Sequence, residues 1–158
     1  MAAAVFADDP DAAFVGAVHP VEVFALRELG FETVICSPFR SQKEEDFPGA
    51  KLRPLLPEMQ RADLLITFGG DGTILHLAKL VALNKIPVLG INMGSLGFIA
   101  ELEAGEIDRL RDLKDWNFAT EDRMMLDVSV IRDGRQIYQN LGLNDAVIRE
   151  GPISHVIH

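Results

Sequence analysis

A chain of 158 residues, 48% hydrophobic and 25% charged, is long enough for one domain, or for one and the start of another, and for a sizeable core. Its formal net charge of -9 argues against a broad nucleic-acid or anionic-membrane surface, so any affinity for phosphate must come from local amides, a few cationic side chains and a metal. Cys36 is the single cysteine; it excludes an internal disulfide, fits a reducing compartment and, within an apolar run, reads as a buried small hydrophobe.

Met1 to Ala7 is apolar but lacks a basic flank and is cut short by Asp8 and Asp9, so it reads as neither signal peptide nor membrane span, and the expected location is the cytoplasm. From Pro20 to Leu29, Val21, Phe24, Ala25 and Leu29 recur at helical spacing, with proline at the start and Gly30 just past the end. Phe31 to Cys36 follows as a short buried strand. Ser37 to Asp63, with Pro38, Pro48, Pro54 and Pro57 among mixed charges, reads as mostly loop. Leu64 to Phe68 predicts a strand, Ile74 to Leu83 a helix with Leu75, Leu77, Ala78 and Val81 turned inward, and Pro87 to Ile91 a second strand. This βαβ unit implies a parallel sheet, whose ligands lie at the carboxyl ends of the strands. The loops at Gly69 and Asn92 should therefore be neighbours. Beyond about Phe118 the pattern alternates: Met124 to Ile131 and Arg135 to Leu141 flank Asp133-Gly134, a preferred two-residue hairpin turn, and Leu143 to Arg149 reads as a third strand. The expected fold class is α/β. A parallel-sheet nucleotide-binding domain over 1–118 is followed by the start of a truncated β-rich domain over 119–158.

Three motifs carry chemistry. Gly69-Gly70-Asp71-Gly72-Thr73 joins the first strand of the βαβ unit to its helix; glycines clear side chains from the backbone, and amides at a helix start favour an anion. Asp71 is the one acid there, suited either to hold a divalent metal or to take a proton from an attacking hydroxyl. Read alone, the same letters describe a tight turn with a helix-capping Asp. Asn92-Met93-Gly94-Ser95-Leu96-Gly97-Phe98 leaves the next strand with two glycines and an aromatic face, which alone suits turn chemistry with a core Phe. Asn144-Asp145 offers adjacent acceptors suited to ribose hydroxyls, or a polar start to an edge strand. His76 reads as an ordinary helix-face residue.

In this order and separation the motifs resemble those of the NAD kinase family, from about Asp63 to Gly151. The resemblance implies transfer of a phosphoryl group from ATP, or polyphosphate, to the adenosine-ribose 2′-hydroxyl of NAD, giving NADP, with Mg²⁺ or another divalent metal. It implies Asp71 as the acid taking the hydroxyl proton, with Gly69, Gly70, Gly72 and Thr73 shaping the phosphate-facing turn. Leu75, Asn92 and Phe98 would contribute to the nucleotide site, Leu75 and Phe98 at the adenine, while Asn144 and Asp145 would bind ribose and neighbouring groups. No residue is assigned as a metal ligand. The expected partners are NAD and ATP, with no nucleic acid and no membrane, in a homodimer or homotetramer when complete. Met1 to His19 lacks the Asn-Pro-rich turn that follows the family's first strand, and the family's Thr-Gly-Ser-Thr-Ala-Tyr segment is not found, so the chain reads as an amino-terminal portion with uncertain activity alone. The alternatives are a non-catalytic nucleotide-binding fragment, or a lipid or sugar kinase sharing the Gly-Gly-Asp-Gly turn. On the kinase reading, Asp71→Asn removes turnover and changes NAD affinity only a few fold.

Overall fold

The computed structural model describes residues 2–7, 26–36, 51–93, 97–114 and 118–148. They divide into two compact units, Met1–Glu121 and Asp122–His158. In the first, six parallel strands form one sheet: β1 (Ala2–Ala7), β2 (Glu32–Cys36), β3 (Lys51–Leu52), β4 (Leu64–Gly69), β5 (Val88–Asn92) and β6 (Leu102–Glu103). Their order is β3-β2-β1-β4-β5-β6, so the chain reverses its direction of travel across the sheet between β1 and β4. The carboxyl edge at such a reversal is where open α/β sheets bind ligands.

Strand β4 explains why the sheet has two covered faces. Leu64, Ile66 and Phe68 join Leu26, Phe31, Ile35, Ile91, Leu102, Leu110 and Leu113 in one core cluster. Leu65, one residue out of step, packs with Cys36, Met59, Leu77 and Ile86 in another. A period of two sends neighbours to opposite faces, and burial on both is the mark of a central parallel strand. The second cluster is supplied by helix α1 (Leu55–Met59) and helix α2 (Asp71–Asn84), the first by residues 26–28 and by a 3₁₀ helix, Ala104–Leu113. Cys36 is fully buried as expected; desolvation above all, with the nearby Glu58 charge, pushes its thiol up to about 12.

Several expectations need correction. Within the stretch to Asp63, described only from residue 51, lie β3 and α1, two short elements that the loop reading did not include. Pro54 is the cap and Pro57 the third residue of α1, positions whose amides have no partner inside a helix, so neither proline obstructs it. Met1 to Ala7 supplies a strand between β2 and β4, which the alanines concealed. Helix α2 begins at Asp71 rather than Ile74, and it buries Thr73, Ile74, Leu77 and Ala78 while Leu75 and Val81 are half-buried. Of the helix expected over Pro20 to Leu29, residues 26–28 are helical, Leu29 is a turn residue and Gly30 follows in the left-handed region (φ 88°); residues 20–25 lie outside the described residues.

The second unit holds an antiparallel pair, β7 (Leu126–Arg132) and β8 (Arg135–Gly142). Asp133 and Gly134 both have positive φ, 51° and 70°, as the expected two-residue turn requires. Pairing passes from Ile131↔Gln136 to Val130↔Tyr138, leaving Ile137 as the extra residue of a bulge. The third strand over Leu143 to Arg149 is absent among the described residues, since 143–148 carry bends and irregular backbone. None of the described residues 122–148 is buried. A hairpin with no further strand among the described residues of its unit is marginal in water. Amides of 126–142 are therefore expected to exchange about a hundred-fold or more faster than those of β4, as hydrogen exchange read by mass spectrometry would show. Equal protection in both segments would contradict this.

Candidate functional site

The turn after β4 and the segment after β5 meet at the carboxyl edge, as expected. Gly69 lies opposite Asn92 in the register, and Met93 donates its amide to the Gly69 carbonyl at 3.2 Å. Gly70 is the N-cap of α2, with extended backbone and no side-chain cap, so Asp71 opens the first turn without capping its own helix. Its carboxylate reaches instead to the other loop. Asp71 Oδ2 accepts the Phe98 amide at 2.9 Å and Oδ1 the Ile99 amide at 3.1 Å. The Phe98 bond above all holds the Asp71 carboxyl below the usual aspartate range, opposed by partial desolvation and helped by the amides of Ile99 and Ala100.

This arrangement has a defined pH dependence. A depressed acid contributes its bonds fully above its unperturbed value and loses them as pH falls through its own lower one. The amide resonances of Phe98 and Ile99, followed by NMR into the acid range, should therefore titrate with a midpoint below 3.8. A midpoint at or above that value would mean the loops are not joined through Asp71.

The glycines of the turn differ in purpose. A methyl group on Gly69 would strike Thr73 Oγ1 and stand 3.1 Å from its Cβ, so that glycine is demanded by packing against the buried Thr73. At Gly70 and Gly72 an added carbon would meet none of the described residues within 4 Å. Among the described residues their bareness serves no contact, and it keeps side chains away from the helix start, where backbone amides favour an anion.

The remaining predicted residues are distributed unevenly. Asn92 is 1% exposed, and its amide nitrogen donates to Glu103 Oε1 and Oε2 at 3.3 and 3.1 Å. Glu103 also forms a reciprocal cap with Glu106 at the start of the 3₁₀ helix, so Asn92 ties β5 to that cap. Phe98 is 89% exposed rather than a core aromatic. Leu75 is half-buried on α2. Asn144 and Asp145 are exposed in irregular backbone of the second unit, not adjacent on a strand. Gly94, Ser95 and Leu96 lie outside the described residues. Sequence reasoning passed over Glu101, whose Oε2 accepts the Gly90 amide at 2.9 Å, and Glu103; the signal for the latter was the acid three residues on, as in a capping box. Among the described residues no three His, Cys, Asp or Glu side chains converge to hold a metal, and no helix is long and apolar enough to cross a membrane.

A parallel sheet whose glycine turn leads from a strand end into a helix start defines a class, the α/β domains that present backbone amides at the carboxyl edge of the sheet. Within that class the chain belongs to the NAD kinase family: the pattern of the ATP-NAD kinase N-terminal domain matches residues 20–113, more than half of its length. It is 47% identical over 97 residues to the NAD kinase of Natranaerobius thermophilus, covering 61% of this chain and 34% of that one. To the NAD kinase of Symbiobacterium thermophilum it is 41% identical over 103 residues, covering 65% and 36%. The chain thus spans about a third of the length of these relatives. Its fold is similar to that of yeast NADH kinase, solved in complex with NADH, with a TM-score of 0.62 at 20% identity over 90% of this chain and 46% of that one.

Proposed function

We propose that this chain is part of an NAD kinase that transfers a phosphoryl group from ATP or polyphosphate to the adenosine-ribose 2′-hydroxyl of NAD. The observation that carries the reading is the pairing of Asp71 with the Phe98 loop at the carboxyl end of β4, beside two glycines whose missing side chains no described residue requires. In it the turn 69–73 faces the phosphates. Asp71 takes the proton of the ribose hydroxyl, Leu75 and Phe98 lie along the adenine, Asn92 supports the site, and Asn144 and Asp145 bind ribose. The two carboxylate oxygens together can accept about four hydrogen bonds, so the amides of Phe98, Ile99 and Ala100 leave Asp71 an acceptor position.

A divalent metal suits this donor set. With one carboxylate in the turn, Mg²⁺ would be held mainly by substrate phosphate oxygens, as it commonly is, and would neutralise charge on the transferring group. A cytoplasmic protein, assembled as a homodimer or homotetramer, completes the reading.

The test is an assay of NADP formation from NAD and ATP or polyphosphate, with diacylglycerol and fructose 6-phosphate as control acceptors, in a protein carrying these 158 residues within the full length of its relatives. Phosphorylation of a control acceptor, or of none, would overturn it. In the same protein Asn144→Ala or Asp145→Ala should weaken NAD by about 1–3 kcal/mol, with ATP affected less. Calorimetry showing unchanged NAD affinity in both would remove the pair from the site.

A further inference from the structure

The backbone at Gly97 to Ile99 is fitted to a carboxylate that belongs to a different loop. Both Asp71 oxygens are bonded by main-chain amides 27 and 28 residues further along the chain. A methyl group on Gly97 would stand 2.5 Å from Asp71 Oδ1 and 3.2 Å from its Cγ. Those atoms cannot step aside without breaking the bonds to the next two residues. A side chain at position 97 and a bonded carboxylate at position 71 are therefore mutually exclusive.

We propose that Gly97 and the amides of Phe98 and Ile99 form a carboxylate cradle that positions Asp71, and that Asp71 in return positions Phe98. The second half follows from exposure: a ring 89% exposed has little packing to fix it, so the bonded backbone beneath it sets where it stands. Gly97 is then a positioning residue, acting through Asp71. Only the consequence for nucleotide binding rests on the NAD kinase reading; the cradle itself needs no nucleotide.

The experiment is a double-mutant cycle on the 158-residue chain without nucleotide, read as amide exchange at Phe98 and Ile99. Asp71→Ala and Gly97→Ala should each speed exchange at both amides about ten-fold, the effect of losing a hydrogen bond to a charged group. Adding Gly97→Ala to Asp71→Ala should change nothing more, because the carboxylate it would strike is gone. Exchange at Ile66 and Phe68 serves as the folding control. Should a variant fail that control, Asp71→Asn gives the decisive reading: its carbonyl oxygen takes the place of one carboxylate oxygen and its NH₂ group, a donor, the place of the other, so one of the two amides should exchange faster and move upfield. Independent, additive effects of the two alanine changes, or unaltered amides in Asp71→Asn, would overturn the proposal. A cycle that holds while the full-length protein fails to bind NAD would leave the cradle standing and sink the nucleotide reading instead.

Discussion

Asp71→Asn is expected to lower NADP formation by about a hundred- to ten-thousand-fold, the usual loss when a positioned proton acceptor is removed. The amide keeps the shape of the side chain but accepts no proton at neutral pH and brings no charge to a metal. Sequence alone suggests that NAD affinity would survive this change. The geometry gives reason to expect otherwise. Asparagine must turn its NH₂ toward one of the Phe98 and Ile99 amides that the carboxylate now accepts, so a donor meets a donor and the loop loses a bond. An amide left unpaired costs about 1–3 kcal/mol, and the loop escapes that cost by moving away with Phe98. The expected signature is a fall in kcat together with a rise in KM for NAD, measured in the full-length protein. Steady-state rates near wild type would rule out Asp71 as proton acceptor, and a fall in kcat alone would separate Phe98 from the dinucleotide.

What the sequence made legible were features decided within a few residues. Leu64 to Phe68 is apolar at every position but Thr67, is too short for a helix and ends in two glycines, so strand, turn and helix follow in order. Asp133-Gly134 fixes its hairpin because both positions tolerate positive φ. The helix start was hidden because Gly72 and Thr73 read as turn residues, yet they form the first turn of α2 below an N-cap glycine. Leu143 to Arg149 has the composition of a strand, but composition does not supply a pairing partner, and no ladder forms over 143–148. The site was legible as a list of residues and not as contacts. Main-chain donors such as Phe98 and Ile99 have no side-chain signature, so the bonds to Asp71 could not be read from the letters. Asn92 was read toward the ligand on motif position, whereas its amide is engaged by Glu103, eleven residues away.

Phe68→Ala is expected to cost about 3–5 kcal/mol, a large part of the roughly 5–15 kcal/mol that holds a domain of this size together. Phe68 is 1% exposed, lies opposite Ile91 in the β4–β5 register, and belongs to the larger core cluster. Truncation there loses both transfer energy and the contacts around a ring-sized cavity, because strands bonded on either side cannot close inward. The effect should reach the site. Phe68 is the residue before Gly69, whose carbonyl holds the Met93 amide, so a cavity at 68 loosens the strand end from which the glycine turn hangs. Urea unfolding followed by the helical signal in far-ultraviolet circular dichroism reports on this unit, since the described helices all lie within it. With a denaturant slope of about 1–3 kcal/mol per molar, the midpoint should fall by about 1–3 M. Leu83→Ala, at a position on α2 that is 65% exposed, should move it by no more than about 0.5 kcal/mol equivalent. If the two variants shift the midpoint equally, β4 is not the centre of the core, and the turn at Gly69 is not held in place by the strand that precedes it.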